Sequence, residues 1–382
     1  MKTLETDKPY NRRKFIKNTA LGIGIMAAGL PVASISARAS NKKEKKLGIA
    51  LVGLGYYATD ELGPALLETA NCYLAGIVTG TKEKEKIWSE KYNIPEKNIY
   101  NYDNFDDIAK NDDIDIVYIV LPNSMHAEYT IRAARAKKHV LCEKPMAVSV
   151  EECQKMIDIC KLNNVKLSVG YRLHYDPYHK KIMELGFGEA YGPAKFIDSS
   201  FCWRIGDNPD VWRLKKDLAG GAIMDVGIYS IQAARYSTGE EPISVIAREY
   251  KSDPVKFSEV DDTVIFQLEF PGGAIANCSS SFSFNSNRLD VSFERGVVRL
   301  HSAYGYRGAK GLIQDQNWRV PNVILDYPEI NQQATHMDDF AQNIIKNTES
   351  IVSGAEGVLD LKVVEAIRES MKHNGKQILI NQ

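Results

Sequence analysis

The segment Gly53-Leu54-Gly55-Tyr56-Tyr57-Ala58 follows the apolar run Leu47–Val52 directly and leads into a helical stretch. A GxGxxA turn between a strand and a helix constrains the fold strongly. The first glycine permits a tight turn and the second lets the backbone approach a bound pyrophosphate. The alanine keeps the helix close to the sheet, and the helix N-terminus faces the anion. The same apolar rhythm recurs at Tyr73–Val78, Ile116–Leu121, His139–Cys142 and Lys166–Val169, with helical segments between. Strands alternating with helices imply a parallel sheet joined by right-handed crossovers. Ser149 and Glu152 form a capping box for one of those helices.

The pattern changes after Gly170. Helical segments lie near Tyr178–Leu185 and Ile223–Tyr236. Strand-like runs follow at Ile243–Tyr250, Val260–Phe270, Ala274–Phe284, Leu289–Glu294 and Val297–His301, and helices close the chain near Met337–Lys346 and Leu359–His373. The fold expected is α/β followed by α+β. A Rossmann dinucleotide-binding domain spans residues 40–170. An open, mainly antiparallel sheet with helices on one face spans residues 171–382 and would serve substrate binding and oligomerisation.

Residues 1–39 read as an export leader rather than as fold. Asn11-Arg12-Arg13-Lys14-Phe15 is a twin-arginine pattern, a weakly apolar run follows, and Ala37-Arg38-Ala39 supplies small residues for cleavage. The run is short for a membrane span and is weakened by Gly22, Gly24, Gly29 and Pro31. A periplasmic protein with no stable membrane anchor is expected. With 48 basic and 49 acidic side chains, the chain offers no electrostatic case for nucleic acid. The six cysteines show no CxxC or zinc spacing. Cys153 and Cys160 share a helical face with Met156 and are read as core thiols; no metal is expected.

Candidate site residues cluster at strand ends, where an open parallel sheet binds ligands. After the second strand come Thr79, Gly80, Thr81 and Lys84 in place of the usual Asp or Glu. Hydroxyls and an ammonium suit a 2′-phosphate better than a bare diol, which favours NADP(H) over NAD(H), although Glu83 tempers the contrast. Leu121, Pro122, Asn123 and His126 follow the third strand and face the nicotinamide side, with His126 either touching cofactor or starting a helix. Glu143 and Lys144 follow the fourth strand, so the lysine points at the crevice. Asp225 and Tyr229 stand four apart on one helix face. Tyr171, Arg172, Trp212 and Arg213 are candidates for a substrate pocket or for domain packing.

These motifs closely resemble the Gfo/Idh/MocA oxidoreductase family and, within it, the glucose–fructose oxidoreductase branch. The resemblance rests on Gly53–Ala58, Leu121-Pro122-Asn123-Ser124, Cys142-Glu143-Lys144-Pro145, Gly170-Tyr171-Arg172, Trp212-Arg213 and Met224–Tyr229. Most of the family has histidine where Tyr229 stands; tyrosine marks that branch. The resemblance implies Lys144 and Tyr229 as catalytic, with Asp225 organising sugar hydroxyls. It implies a sugar oxidised at C1 to a lactone, the hydride passing by retained NADP(H) to a second sugar. A homodimer or homotetramer through the C-terminal sheet is also implied. An alcohol must lose a proton as hydride departs. A free phenol is a poor base at neutral pH, and a nearby ammonium favours the phenolate; either Lys144 or Tyr229 serves as acceptor. An NAD-dependent glycosidase of the same superfamily and a non-catalytic sugar-binding module are the alternatives. Residues 40–46 form a short lysine-rich arm without proline, and Ser199–Asp210 departs from that branch, so the arm's role and the sugar's identity do not carry over.

Overall fold

A computed structural model of the chain describes residues 45–188, 190–317 and 319–381. The twin-arginine leader and most of the lysine-rich arm lie outside the described residues.

The first sheet contains β1 (Leu47–Val52), β2 (Cys72–Val78), β3 (Ile99–Tyr100), β4 (Ile116–Ile119), β5 (His139–Cys142) and β6 (Leu167–Val169). All pairings are parallel, in the order β3-β2-β1-β4-β5-β6. Ile49, Ala50, Leu51 and Val52 are all fully buried, as a strand covered on both faces requires. Its helices are α1 (Gly63–Glu68), α2 (Lys82–Tyr92), α3 (His126–Arg135) and α4 (Val150–Leu162). Ser149 Oγ accepts from Glu152 N at 3.2 Å, making half of the expected capping box. The strand order reverses between β1 and β4, which opens a crevice at their carboxyl ends. The two-residue edge strand β3 escaped the periodicity because it is too short to show one.

α5 (Pro177–Phe187) leads into the second sheet. Its strands are β7 (Ala194–Cys202), β8 (Ser244–Tyr250), β9 (Thr263–Glu269), β10 (Ile275–Ser281), β11 (Ser286–Phe293), β12 (Gly296–His301), β13 (Lys310–Asp315), β14 (Val323–Leu325) and β15 (Ile378–Leu379). They run in the order β14-β13-β12-β11-β7-β10-β9-β8-β15. Every pairing is antiparallel except β7 with β10. Alternation sets the buried face: Val264, Phe266 and Leu268 point inward, whereas Ile265 and Glu269 are exposed. Against that inner face pack α6 (Ile228–Thr238) and α8 (Gly354–Lys372).

The central strand β7 is missing from the sequence reading. Its inward positions include Ser199, which is fully buried and hydrogen-bonded to Ser230 Oγ at 2.8 Å and Tyr304 OH at 2.5 Å. A polar residue satisfied from another element breaks the apolar alternation that marks a strand.

Packing crosses the boundary read at residues 170 and 171. Helix α7 (Gln332–Ile345) returns to the parallel sheet. Its Ala334, Met337, Phe340 and Ala341 pack in one cluster with Ile49, Leu51, Ile77, Ile116 and Tyr118. Asp338 fastens it by accepting from Ala70 N at 2.8 Å and Asn71 N at 2.7 Å. The N-terminal domain therefore includes a helix from the C-terminal segment. All six cysteines are buried and unpaired, as expected of core thiols.

Candidate active site

The dinucleotide turn has the geometry its glycines permit. Gly53 has φ +91°, and a Cβ there would fall 2.5 Å from Val120 O. A Cβ on Gly55 would meet nothing within 4 Å. The backbone at Gly55 thus borders an open cradle in front of a helix start, and these residues fit a pyrophosphate. Leu54 and Ala58 are buried packing residues, and Tyr56 is exposed. The Tyr57 ring stacks on Tyr306, 5.6 Å between centroids and 27° between planes.

At the end of β2, Thr79 turns inward and its hydroxyl accepts from Thr81 N at 3.3 Å. It therefore serves the turn. Gly80, Thr81 and Lys84 are exposed at the rim. Lys82 pairs with Glu85 at 2.9 Å; Lys84 has no ion pair among the described residues.

Leu121 and Asn123 lie buried at the end of β4, with Pro122 between them. The Asn123 amide donates to Ala219 O at 2.8 Å, tying the crevice to the segment before Asp225. His126 is fully enclosed. Its Nδ1 lies 2.8 Å from Pro145 O and its Nε2 2.8 Å from Leu121 O. Burial lowers its pKa and outweighs both carbonyls, which raise it. Both ring nitrogens face backbone carbonyls, and the neutral imidazole donates to one of them. His126 also starts α3, which is the second of its two readings.

Glu143 lies under the crevice. Burial raises its pKa, against the lowering effects of Tyr118, Lys144 and Arg172. Tyr118 OH donates to Glu143 Oε1 at 2.6 Å, and Lys144 N donates to Oε2 at 3.2 Å. A Cβ on Gly170 would fall 2.6 Å from the same carboxylate, so β6 approaches this closely only with glycine there. The Lys144–Pro145 peptide is cis.

Lys144 Nζ donates to Asp225 O at 2.7 Å and lies 3.4 Å from Asp225 Oδ1. Arg213 Nε donates to Asp225 Oδ2 at 2.6 Å. One carboxylate thus carries two cations. Burial pushes the Asp225 pKa up, but Arg213 and Lys144 outweigh it and hold the group below the ordinary carboxylate range. Asp225 lies in a π-turn, Ile223–Gly227, that opens α6. Gly221 has φ +103°, and a Cβ there would strike Asp261 Oδ1 at 2.3 Å. Asp261 Oδ2 accepts from Ile223 N at 2.7 Å and so fixes where the π-turn begins. Burial lifts the Asp261 pKa to about 6. Nothing local in the sequence marked Asp261.

Tyr229 is brought to the same place from the next turn of α6. Lys144 Nζ stands over its ring face, 4.9 Å from the centroid, rather than on its hydroxyl. The hydroxyl instead accepts from Arg172 Nε at 3.3 Å. Arg172 is almost wholly buried. It also donates to Gly305 O at 3.1 Å, to Gln332 Oε1 at 2.7 Å and to Tyr304 O. It therefore braces Tyr229 from the packing side of its two readings. Tyr171 is 1 % exposed and packs in the core, as its packing alternative has it. Trp212 and Arg213 stay half-exposed beside Asp225.

The two sheets bring a lysine, a carboxylate and a phenol to the mouth of a dinucleotide crevice, and that combination defines a dinucleotide-dependent oxidoreductase. Residues 47–171 match the family model described as GFO/IDH/MocA oxidoreductase, NAD-binding Rossmann fold, and residues 181–299 match its C-terminal domain model. The D-xylose 1-dehydrogenase [NADP(+)] of Haloarcula marismortui is 30% identical over 84% of this chain and 90% of its own. The crystal structure of aldose-aldose oxidoreductase from Caulobacter crescentus, complexed with glycerol, shares 43% identity. It superposes at TM-score 0.84, over 88% of this chain and 100% of that one. An Agrobacterium radiobacter oxidoreductase, 20% identical with TM-score 0.74, shares the fold. The chain belongs to the GFO/IDH/MocA oxidoreductase family.

Proposed function

We propose that the chain is an NADP(H)-dependent sugar oxidoreductase that oxidises an aldose at C1 to its lactone and reduces a second sugar without exchanging the nucleotide. The observation that carries this reading is the convergence of Lys144, Asp225 and Tyr229 beside the dinucleotide turn. The likeness to the Caulobacter aldose-aldose oxidoreductase supports the sugar and the paired half-reactions. Thr81 and Lys84 at the end of β2, with no acid directly at the strand tip, support a 2′-phosphate there.

When bound, a nicotinamide dinucleotide takes hydride from one sugar and gives it to another. This chain handles the proton. Lys144 is anchored on Asp225 and keeps an N–H free to donate to the reacting oxygen, stabilising it as the proton leaves. Tyr229, as phenolate, accepts that proton and becomes the phenol, its oxygen receiving a hydrogen bond from Arg172. Reduction of the second sugar reverses these transfers. We also propose export to the periplasm by the twin-arginine route, which suits an enzyme that keeps its nucleotide. The outer face of the second sheet would serve as its homo-oligomer interface.

The test is the near-ultraviolet absorbance of the protein purified without added nucleotide. An aldose should raise the reduced-nicotinamide band and a second sugar should bleach it. Protein free of nucleotide overturns the retained cycle. A second reading, an aldose 1-dehydrogenase that exchanges NADP(H), is favoured by the Haloarcula relative. It would show aldose oxidation only with added nucleotide.

A further inference from the structure

Arg213 is held more firmly than a partner for Asp225 requires. Gly221 N donates to Arg213 O at 2.9 Å. A Cβ on Gly220 would fall 2.3 Å from that same oxygen, so the two chain segments touch only because residue 220 is glycine. The guanidinium also lies over two indole rings. It lies 4.7 Å from the Trp212 ring centroid and 5.6 Å from that of Trp203. Trp203 is itself braced edge-on by Phe282 at 5.6 Å, and its backbone N–H donates to Ser281 O at 3.0 Å.

Only one guanidinium nitrogen is used. Nε takes Asp225 Oδ2, while the two terminal nitrogens donate to nothing among the described residues. A guanidinium offers five N–H donors in a rigid fork, so four remain. The side chain keeps 33% of its exposure, which leaves that fork accessible at the mouth of the site. Asp225 fixes where it stands relative to Lys144, since Oδ1 faces the lysine and Oδ2 faces the arginine. The two cations flank one carboxylate. A sugar whose reacting oxygen meets the lysine therefore presents its neighbouring hydroxyl on the arginine side.

We propose that Arg213, held over Trp203 and Trp212, is a specificity-determining residue. Its free fork binds the hydroxyl on the carbon next to the one whose oxygen Lys144 holds. The substrates selected are aldoses with that hydroxyl, and 2-deoxy aldoses are rejected. The proposal rests on the sugar-oxidoreductase reading. A site built to bond a hydroxyl discriminates strongly against the analogue lacking it, because the donor is left unpaired. Arginine is needed because lysine keeps the charge toward Asp225 but not the fork.

The test is a cycle with glucose and 2-deoxyglucose on wild type and Arg213→Lys. Wild type should prefer glucose in kcat/KM by about tenfold or more. Arg213→Lys should raise KM for glucose by a larger factor than for 2-deoxyglucose and collapse the preference toward unity. Trp212→Ala, which removes one of the two rings, should give an intermediate preference. If Arg213→Lys lowers both sugars by the same factor, Arg213 only balances the charge of Asp225 and the proposal is overturned. Quenching of tryptophan fluorescence by each sugar supplies the same cycle as Kd, independently of turnover. Discrimination in Kd through Arg213 without aldose oxidation would sink the oxidoreductase reading and leave this one standing. No response to any sugar would overturn this one.

Discussion

Asp225 joins Lys144 and Arg213 through one nearly buried carboxylate. Its folded pKa lies below the ordinary value. A carboxylate of that kind contributes stability that is present above the unfolded pKa and is lost as pH falls through the folded one. Asp225→Asn should therefore lower the melting temperature at neutral pH, and the gap to wild type should close below about pH 4. A gap that stays constant into acid would show that the charge of Asp225 does not matter to the fold. Lys144→Ala should cut kcat/KM by about 100-fold or more. Nucleotide occupancy, read from the absorbance ratio, should stay unchanged. A variant that oxidises sugar normally would remove Lys144 from the chemistry. Lys144, Asp225 and Tyr229 were legible because a strand end and a four-residue spacing are local patterns. Arg172 and His126 each stayed open between two readings for a common reason. Strand-end position says that a side chain is near the crevice, but not that Arg172 runs to residues 304 and 305, or that both His126 nitrogens meet carbonyls.

The element that aims the site is the π-turn Ile223–Gly227, and Asp261, from a loop thirty-eight positions away, determines its start. The folded pKa of Asp261, about 6, lies above the unfolded value because of burial. For a carboxyl raised in this way the folded state holds the extra proton. Its contribution to stability falls as pH rises from about 4 to about 6 and is level above that. Asp261→Asn keeps an acceptor for Ile223 N and removes the titration, so denaturant midpoints should lose that decline. Asp261→Ala removes the acceptor. It should cost about 1–2 kcal/mol, as loss of a cap does, and lower kcat by displacing Asp225 and Tyr229. Unchanged kcat in Asp261→Ala would mean that the π-turn holds its shape unaided. The GxGxxA turn and most strands were readable from period and punctuation. The strand β7 and the role of Asp261 were not, because both depend on hydrogen bonds between residues far apart in the chain.

For the whole molecule, the outer face of the second sheet exposes Phe196 and Ile275, paired across β7 and β10, together with Ile246 and Ile265. If that face joins copies of the chain, light scattering should give a dimer or tetramer, and Phe196→Lys with Ile275→Lys should give a folded monomer. A monomeric wild type would end the proposal. No described helix is long and apolar enough to cross a membrane.

The return of α7 to the parallel sheet has a consequence for how the protein is made. The layer covering Ile49 and Leu51 is completed by Met337 and Phe340, which are synthesised nearly three hundred residues later. On the ribosome the nucleotide domain must wait, its apolar face uncovered, until almost the entire chain has emerged. The N-terminal half expressed alone would carry the glycine turn and Lys144 yet lack one wall of its own core. In this protein the nucleotide-binding domain is among the first parts to be translated and among the last to be finished.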